Sequence, residues 1–393
     1  MPTPPLKEPG PEIASDPRDR LLDYGEVTDL KGRAMRGGAT VLVAQGVKFT
    51  FQFGAIVILS RMLVPADFGL VAMVTAITGL ALVLKDVGLS QSTVQRPHVT
   101  QRQVSTLFWL NAGAGFLIFA ILCGLAPVIT WFYGDWHLKG ITIASACQFI
   151  FAGLTVQHLA LLNRDMQFRK LVLIDISSLA AGSLVGIAMA ALGYGYWALV
   201  GMPVFTSIAA AILAWTLSSW RPCLPRFDRG VSDMLRMGRH LAGFNIVNYF
   251  ARNLDNALIG WRWGAESLGF YSRSYSLFTL PLSQINGPLA QVAIAGLSRA
   301  QENPTRFAAY YEKAAVLSMS LTTPLAAFTI VAAPEILAVV LGPQWTDCVP
   351  IFRWLGLGGL FQPLCNSTGW IYISSGRSDR MFRWGSSPPW VIV

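Results

Sequence analysis

What most limits the fold of this chain is a series of apolar segments, each about twenty residues or somewhat longer, recurring from residue 38 to residue 374. At about 1.5 Å of rise per residue, a helix of that length matches the roughly 30 Å hydrocarbon core of a bilayer. Spans are expected at 38–62, 67–89, 104–126, 140–162, 170–192 and 196–218, and again at 239–261, 267–297, 307–333 and 348–374. With 53% hydrophobic and 13% charged residues, the chain is too apolar for an ordinary soluble protein. The expected fold class is therefore all-α: a polytopic membrane protein built as two pseudo-repeated helical bundles, six spans followed by an incomplete four.

A net charge of +9 raises the question of a nucleic-acid partner, but the cations sit in alternate gaps between the apolar runs. With the N-terminus placed in the cytoplasm, twenty-three Lys and Arg fall on the inner side. The outer side and its span ends receive only Arg61, Lys139, Arg262, Arg273 and Arg353. This satisfies the positive-inside rule, and no nucleic-acid partner is expected.

The organisation that follows is a cytoplasmic disordered tail over 1–36, a six-helix bundle over 37–218 and a cytoplasmic linker over 219–238. An incomplete bundle over 239–384 and an irregular tail over 385–393 complete it. The tail lacks the apolar core of a signal peptide. In the eighth span, Pro281 and the Gly287-Pro288 pair predict an unwound turn. Five cysteines and four histidines show no metal-ligand spacing, so neither a metal ion nor a cofactor is expected.

Two cations are left over, Lys48 and Arg252, both deep within spans. In the seventh span Asn245, Asn248, Arg252, Asp255 and Asn256 gather on about a third of the helix circumference. A polar stripe at bilayer depth cannot face lipid and marks a functional site by default. Shifting the sequence by 200 residues places Gln45 on Asn245, Lys48 on Asn248, Gln52 on Arg252 and Gly69 on Gly269. Further along, Pro127 faces Pro334 and Gly134 faces Gly342. The common order of these matches points to an internal repeat. The last two helices of the first half have no counterparts in the second, which implies a truncated or frame-disturbed form of a twelve-helix protein.

Several segments carry a family resemblance: Leu59-Ser-Arg-Met-Leu-Val-Pro-Ala-Asp-Phe-Gly-Leu70, Asp86-Val-Gly-Leu-Ser-Gln91, Ser105-Thr-Leu-Phe-Trp-Leu-Asn111, Asn163-Arg-Asp-Met-Gln-Phe168, Asn248-Tyr-Phe-Ala-Arg-Asn-Leu-Asp-Asn256 and Leu268-Gly-Phe-Tyr-Ser-Arg-Ser-Tyr275. Together they resemble the Wzx-type oligosaccharide flippases of the multidrug/oligosaccharidyl-lipid/polysaccharide superfamily, in the branch with the colanic acid exporters. The resemblance implies two six-helix bundles facing a central cavity that opens alternately to either side of the bacterial cytoplasmic (inner) membrane. The implied cargo is a polyprenyl-pyrophosphate-linked oligosaccharide. The implied partners are the lipid bilayer and a polysaccharide polymerase with its export machinery.

A pyrophosphate crossing the membrane needs fixed cations, and the planar guanidinium of Arg can hold phosphate oxygens bidentately. Arg252 is the leading candidate, with Lys48 and Arg273 as partners; alternatively, Arg252 is neutralised by Asp255 three residues on. The amides Gln45, Gln52, Asn245, Asn248, Asn253 and Asn256 either bind sugar hydroxyls or join helices to one another. Asp255 is a candidate for ion coupling, and Tyr249, Tyr271 and Tyr275 either stack on sugars or pack. Competing readings are a drug efflux transporter of the same superfamily and a membrane polymerase or glycosyltransferase. No enzyme is expected, because the outer connections are short and carry no carboxylate cluster or D-x-D. A photo-crosslinker at position 252, in cells, is expected to capture a polyprenyl-linked saccharide, identified by mass spectrometry of the adduct.

Overall fold

The computed structural model describes residues 30–84, 93–94, 99–225 and 229–375, with backbone alone for 30–43, 82–84, 229–248, 250–252 and 366. The helices are α1 (Leu30–Met62), α2 (Pro65–Leu84), α3 (Gln101–Tyr133), α4 (His137–Arg164), α5 (Phe168–Ala191) and α6 (Trp197–Leu217). After the connection come α7 (Arg229–Arg299), α8 (Pro304–Val331), a short α9 (Ala333–Val340) and α10 (Cys348–Ser374). Residues 1–29 of the expected first tail, 376–384 at the end of the expected second bundle, the expected tail 385–393 and the segment Asp86–Gln91 lie outside the described residues. Helix α1 begins at Leu30, so helical backbone reaches into the stretch 30–36 that composition assigns to the tail.

Among the described residues, α3, α4, α5, α6 and α8 are long and apolar enough to cross a membrane. Two compact units are present: residues 1–55 with 77–252, and residues 56–76 with 253–393. The boundaries between them fall inside α1, α2 and α7, not in loops.

In the first unit α4 is the central helix. It packs on α3 and α6, and α5 pairs with α6. Its most apolar window is 56% buried, against 22% for α3 and α6, whose remaining apolar surface is left for lipid. Leu122 of α3 meets Ala146 and Phe149 of α4 in one cluster, and Leu162, Ile174 and Ala214 tie α4, α5 and α6 together in another. Helix α3 starts with a capping box: the Thr100 hydroxyl accepts from the Gln103 amide, and the Gln103 side chain accepts from the Thr100 amide.

The chain after α6 folds back onto this unit. Trp109 Nε1 donates to the Cys223 carbonyl at 2.8 Å, and the Cys223 amide donates to Ser105 Oγ at 3.0 Å. Beneath this segment His158 is buried among Phe108, Trp215 and Trp220.

In the second unit α8 packs on α10, and Ala293, Leu297 and Trp370 form a core with Phe307 and Tyr311 against it. The end of α1 is held by the segment after α9. Arg61 donates to the Val339 carbonyl, Gln344 Nε2 to the Leu63 carbonyl at 2.9 Å, and the buried Trp345 indole to the Ser60 carbonyl at 2.8 Å. The bonds to Ser60 and Leu63 satisfy carbonyls at the C-terminal end of α1, and the Arg61 bond satisfies one at the end of α9, where the helix offers no partner.

Gly69 and Gly269, the pair aligned by the 200-residue shift, pack against each other at the crossing of α2 and α7. A Cβ on Gly269 would sit 1.9 Å from the Pro65 carbonyl oxygen and 3.3 Å from the Gly69 amide nitrogen, and one on Gly69 would sit 1.6 Å from the Ala265 carbonyl oxygen. Helix backbones approach this closely only through small residues.

The other aligned pair, Gly134 and Gly342, both adopt positive φ, at 72° and 107°. The segment around Pro281, Gly287 and Pro288 remains helical, and the non-helical residue of α7 is Gly264, with φ 82° and ψ −176°. A prolyl ring removes one hydrogen bond yet keeps a helical φ, whereas this backbone conformation is open only to glycine.

Replacing Gly269 by Val is expected to drive a branched side chain into the Pro65 carbonyl and destabilise the second unit by about 3 kcal/mol or more. A lowered unfolding temperature of the purified protein in detergent checks this.

Candidate functional site

In the first unit, Lys48 of α1 and Asp175 of α5 form an ion pair, Nζ to Oδ2, at 2.9 Å. Lys48 lies about 21 Å along the helix axis from Met62, and Asp175 lies about 10 Å along α5 from Phe168, so neither sits at a helix end. The two side chains keep 30% and 52% of their surface accessible. Asp175 lies within α5, one of the helices apolar enough to cross a membrane, where an ionised side chain costs on the order of 2.5–3.5 kcal/mol in hydrocarbon and needs a partner or a wet surrounding. On the same helix Gln52 is half-buried, Gln45 is exposed, and Phe49 and Phe53 stack with centroids 5.9 Å apart.

Asp175 escaped the sequence reading, which followed unpaired cations and passed over an acid within Leu171–Ile176. Its signal was plain: a carboxylate inside an apolar run marks a function or a partner as clearly as a cation does.

In the second unit Tyr271 donates its hydroxyl proton to Asp255 Oδ2 at 2.6 Å, and the Asn256 amide donates to Asp255 Oδ1 at 2.8 Å. Both carboxylate oxygens of Asp255 thus have a donor. Tyr275 stacks on Tyr271 with centroids 6.2 Å apart. Asn253 and Asn256 are half-buried beside this group. The partner of Asp255 that sequence reasoning did not anticipate is therefore a tyrosine sixteen residues on. A bend at Gly264 brings it back, and no helical spacing rule shows that.

Arg273 sits with its guanidinium carbon 3.9 Å from the centroid of Phe68, and Phe68 meets the buried Trp345 at 5.3 Å. Cation–π contact and the Trp345 bond to Ser60 make this a second polar and aromatic group in the unit. The side chains of Arg252, Asn245 and Asn248 lie outside the described residues. No group of three or more His, Cys, Asp or Glu suited to a metal is present among the described residues.

With this geometry in hand, comparison with known proteins is informative. The family model described as "Polysaccharide biosynthesis protein" matches residues 58–350. The chain belongs to the polysaccharide biosynthesis protein family. It is similar to the teichuronic acid biosynthesis protein TuaB of Bacillus subtilis (strain 168), 30% identical over 313 residues that cover 79% of this chain and 64% of that protein. It is also similar to the lipopolysaccharide biosynthesis protein WzxC of Escherichia coli (strain K12), 22% identical over 90% of this chain and 72% of that protein. The chain thus spans somewhat under two thirds of TuaB.

Among solved structures, the lipid II flippase MurJ in an inward closed conformation matches with a TM-score of 0.70 at 11% identity, over 88% of this chain and 77% of that one. That likeness establishes the fold, an all-α arrangement of the kind expected from the sequence. A multi-pass membrane protein follows from the apolar helices together with this fold.

Replacing Tyr271 by Phe removes the hydroxyl donor to Asp255 while keeping the ring stack. The expected cost is about 1 kcal/mol, read as a modest fall in the unfolding temperature of the detergent-purified protein.

Proposed function

We propose that this protein is a flippase that moves a polyprenyl-pyrophosphate-linked oligosaccharide from the cytoplasmic to the outer leaflet of the bacterial cytoplasmic membrane. It transports and does not catalyse. The observation that carries this reading is the half-accessible Lys48–Asp175 pair, whose carboxylate lies within a helix apolar enough to cross a membrane, where a charge calls for a wet path. Family membership supports it, as does the similarity to TuaB and WzxC, proteins of teichuronic acid and lipopolysaccharide biosynthesis. The fold is also that of a lipid II flippase.

In this reading Lys48, Arg252 and Arg273 meet the diphosphate, and Arg252 can bind its oxygens bidentately. The amides Gln45, Gln52, Asn245, Asn248 and Asn256 supply donors and acceptors to sugar hydroxyls. Asp255, held by Tyr271, is the ion-coupling group. The N-terminus lies in the cytoplasm, as the loop charges require. A polysaccharide polymerase receives the cargo on the far side.

In the native host, Lys48→Met and Arg252→Ala are each expected to abolish most of the surface polysaccharide. Immunoblots of the membrane fraction should find the protein at its usual level. Normal polysaccharide from both variants would overturn the reading.

A further inference from the structure

The partner of Lys48 has a consequence for selectivity. A lone ammonium at this position would attract any anionic headgroup in the surrounding bilayer, and the bilayer offers far more singly charged phospholipid than cargo. Asp175 stands 2.9 Å from the ammonium and keeps 52% of its own side chain accessible, so it is within reach of solvent and can be left behind. We propose that Asp175 is a displaceable counter-ion: it holds Lys48 in the unloaded protein and yields it to a diphosphate but not to a singly charged headgroup. The inference rests on the reading of Lys48 as a cargo contact.

Charge decides the exchange. Coulomb attraction scales with the product of the charges, so at equal distance a diphosphate bearing about two negative charges attracts an ammonium about twice as strongly as one carboxylate does. A phosphodiester carrying a single charge gains almost nothing over the carboxylate it would replace, and it must also desolvate. The pair therefore sets a threshold: Asp175 subtracts the same pairing energy from the binding of every anion, and only an anion whose charge exceeds that of the carboxylate occupies Lys48. Lys suits this role better than Arg. Its ammonium is a compact point charge with rotatable donors and can change partner without breaking a bidentate fork. Asp175, half-accessible, can be hydrated on release, and the exchange of one anionic partner for another makes and breaks no covalent bond, so the step needs no co-reactant. Asp175 is a positioning residue, acting on the cargo through Lys48.

The test uses the full chain in maltoside micelles, titrated separately with farnesyl pyrophosphate and with phosphatidylglycerol. Asp175→Asn is expected to tighten both about two- to tenfold, so that phosphatidylglycerol, which does not displace the carboxylate in the wild type, becomes bound. Asp175→Glu should keep the wild-type affinities, a rescue that loss of packing would not give. In the Lys48→Met background the effect of Asp175→Asn should vanish. Asp175→Ser provides a second neutral variant if the amide does not fold.

Unchanged affinities in the neutral variants, or the same change with and without Lys48, overturn the proposal. If Lys48→Met binds farnesyl pyrophosphate as tightly as wild type, the cargo reading of Lys48 falls and the counter-ion role with it. If Lys48→Met binds weakly while the neutral Asp175 variants keep the wild-type affinities, only the counter-ion role falls.

Discussion

Hydrocarbon cannot solvate a charge, and that constraint governs both the arrangement of this protein and the places where it departs from a plain helical bundle. Each ionised side chain inside a span must find a partner, a wet surface or both. Lys48 has Asp175, and Asp255 has Tyr271 and the Asn256 amide. The apolar remainder obeys the same rule in reverse. Side chains such as Phe116, Leu117, Leu184 and Ile212 stay exposed on helices apolar enough to cross a membrane, as side chains that face lipid are free to do.

The two units answer the constraint differently. In the first, charge is balanced between two helices distant in sequence, α1 and α5. In the second, balance is local to α7, where the backbone turns at Gly264 and returns Tyr271 to Asp255. A cross-helix pair can be opened by moving one helix or by offering a better anion. A carboxylate with a donor on each oxygen is more firmly held. This difference is the ground on which exchange of cargo is proposed for Lys48.

Anchoring is separate from these charged groups. Ser60 and Leu63 at the end of α1 accept from Trp345 and Gln344, and Arg273 lies on Phe68 beside the same indole. In the first unit the segment after α6 is tied to α3 by Trp109, Ser105 and Gln101 and covers the buried His158. These contacts satisfy backbone carbonyls and indole donors that would otherwise be orphaned at the ends of apolar helices.

Much was legible from residue order alone. Length and hydropathy set the all-α membrane class and the approximate helices, because a helix is the element that satisfies its own backbone in lipid. The 200-residue shift named Gly69 and Gly269 before their contact was known, since a close crossing leaves a strict requirement for small residues. Tertiary structure alone decided which charges meet. Asp175 and Lys48 are 127 positions apart, and a turn at Gly264 joins Asp255 to Tyr271. Periodicity records which face of a helix is polar but carries no information about which distant face will lie opposite. The pairing of charges is settled only when helices pack.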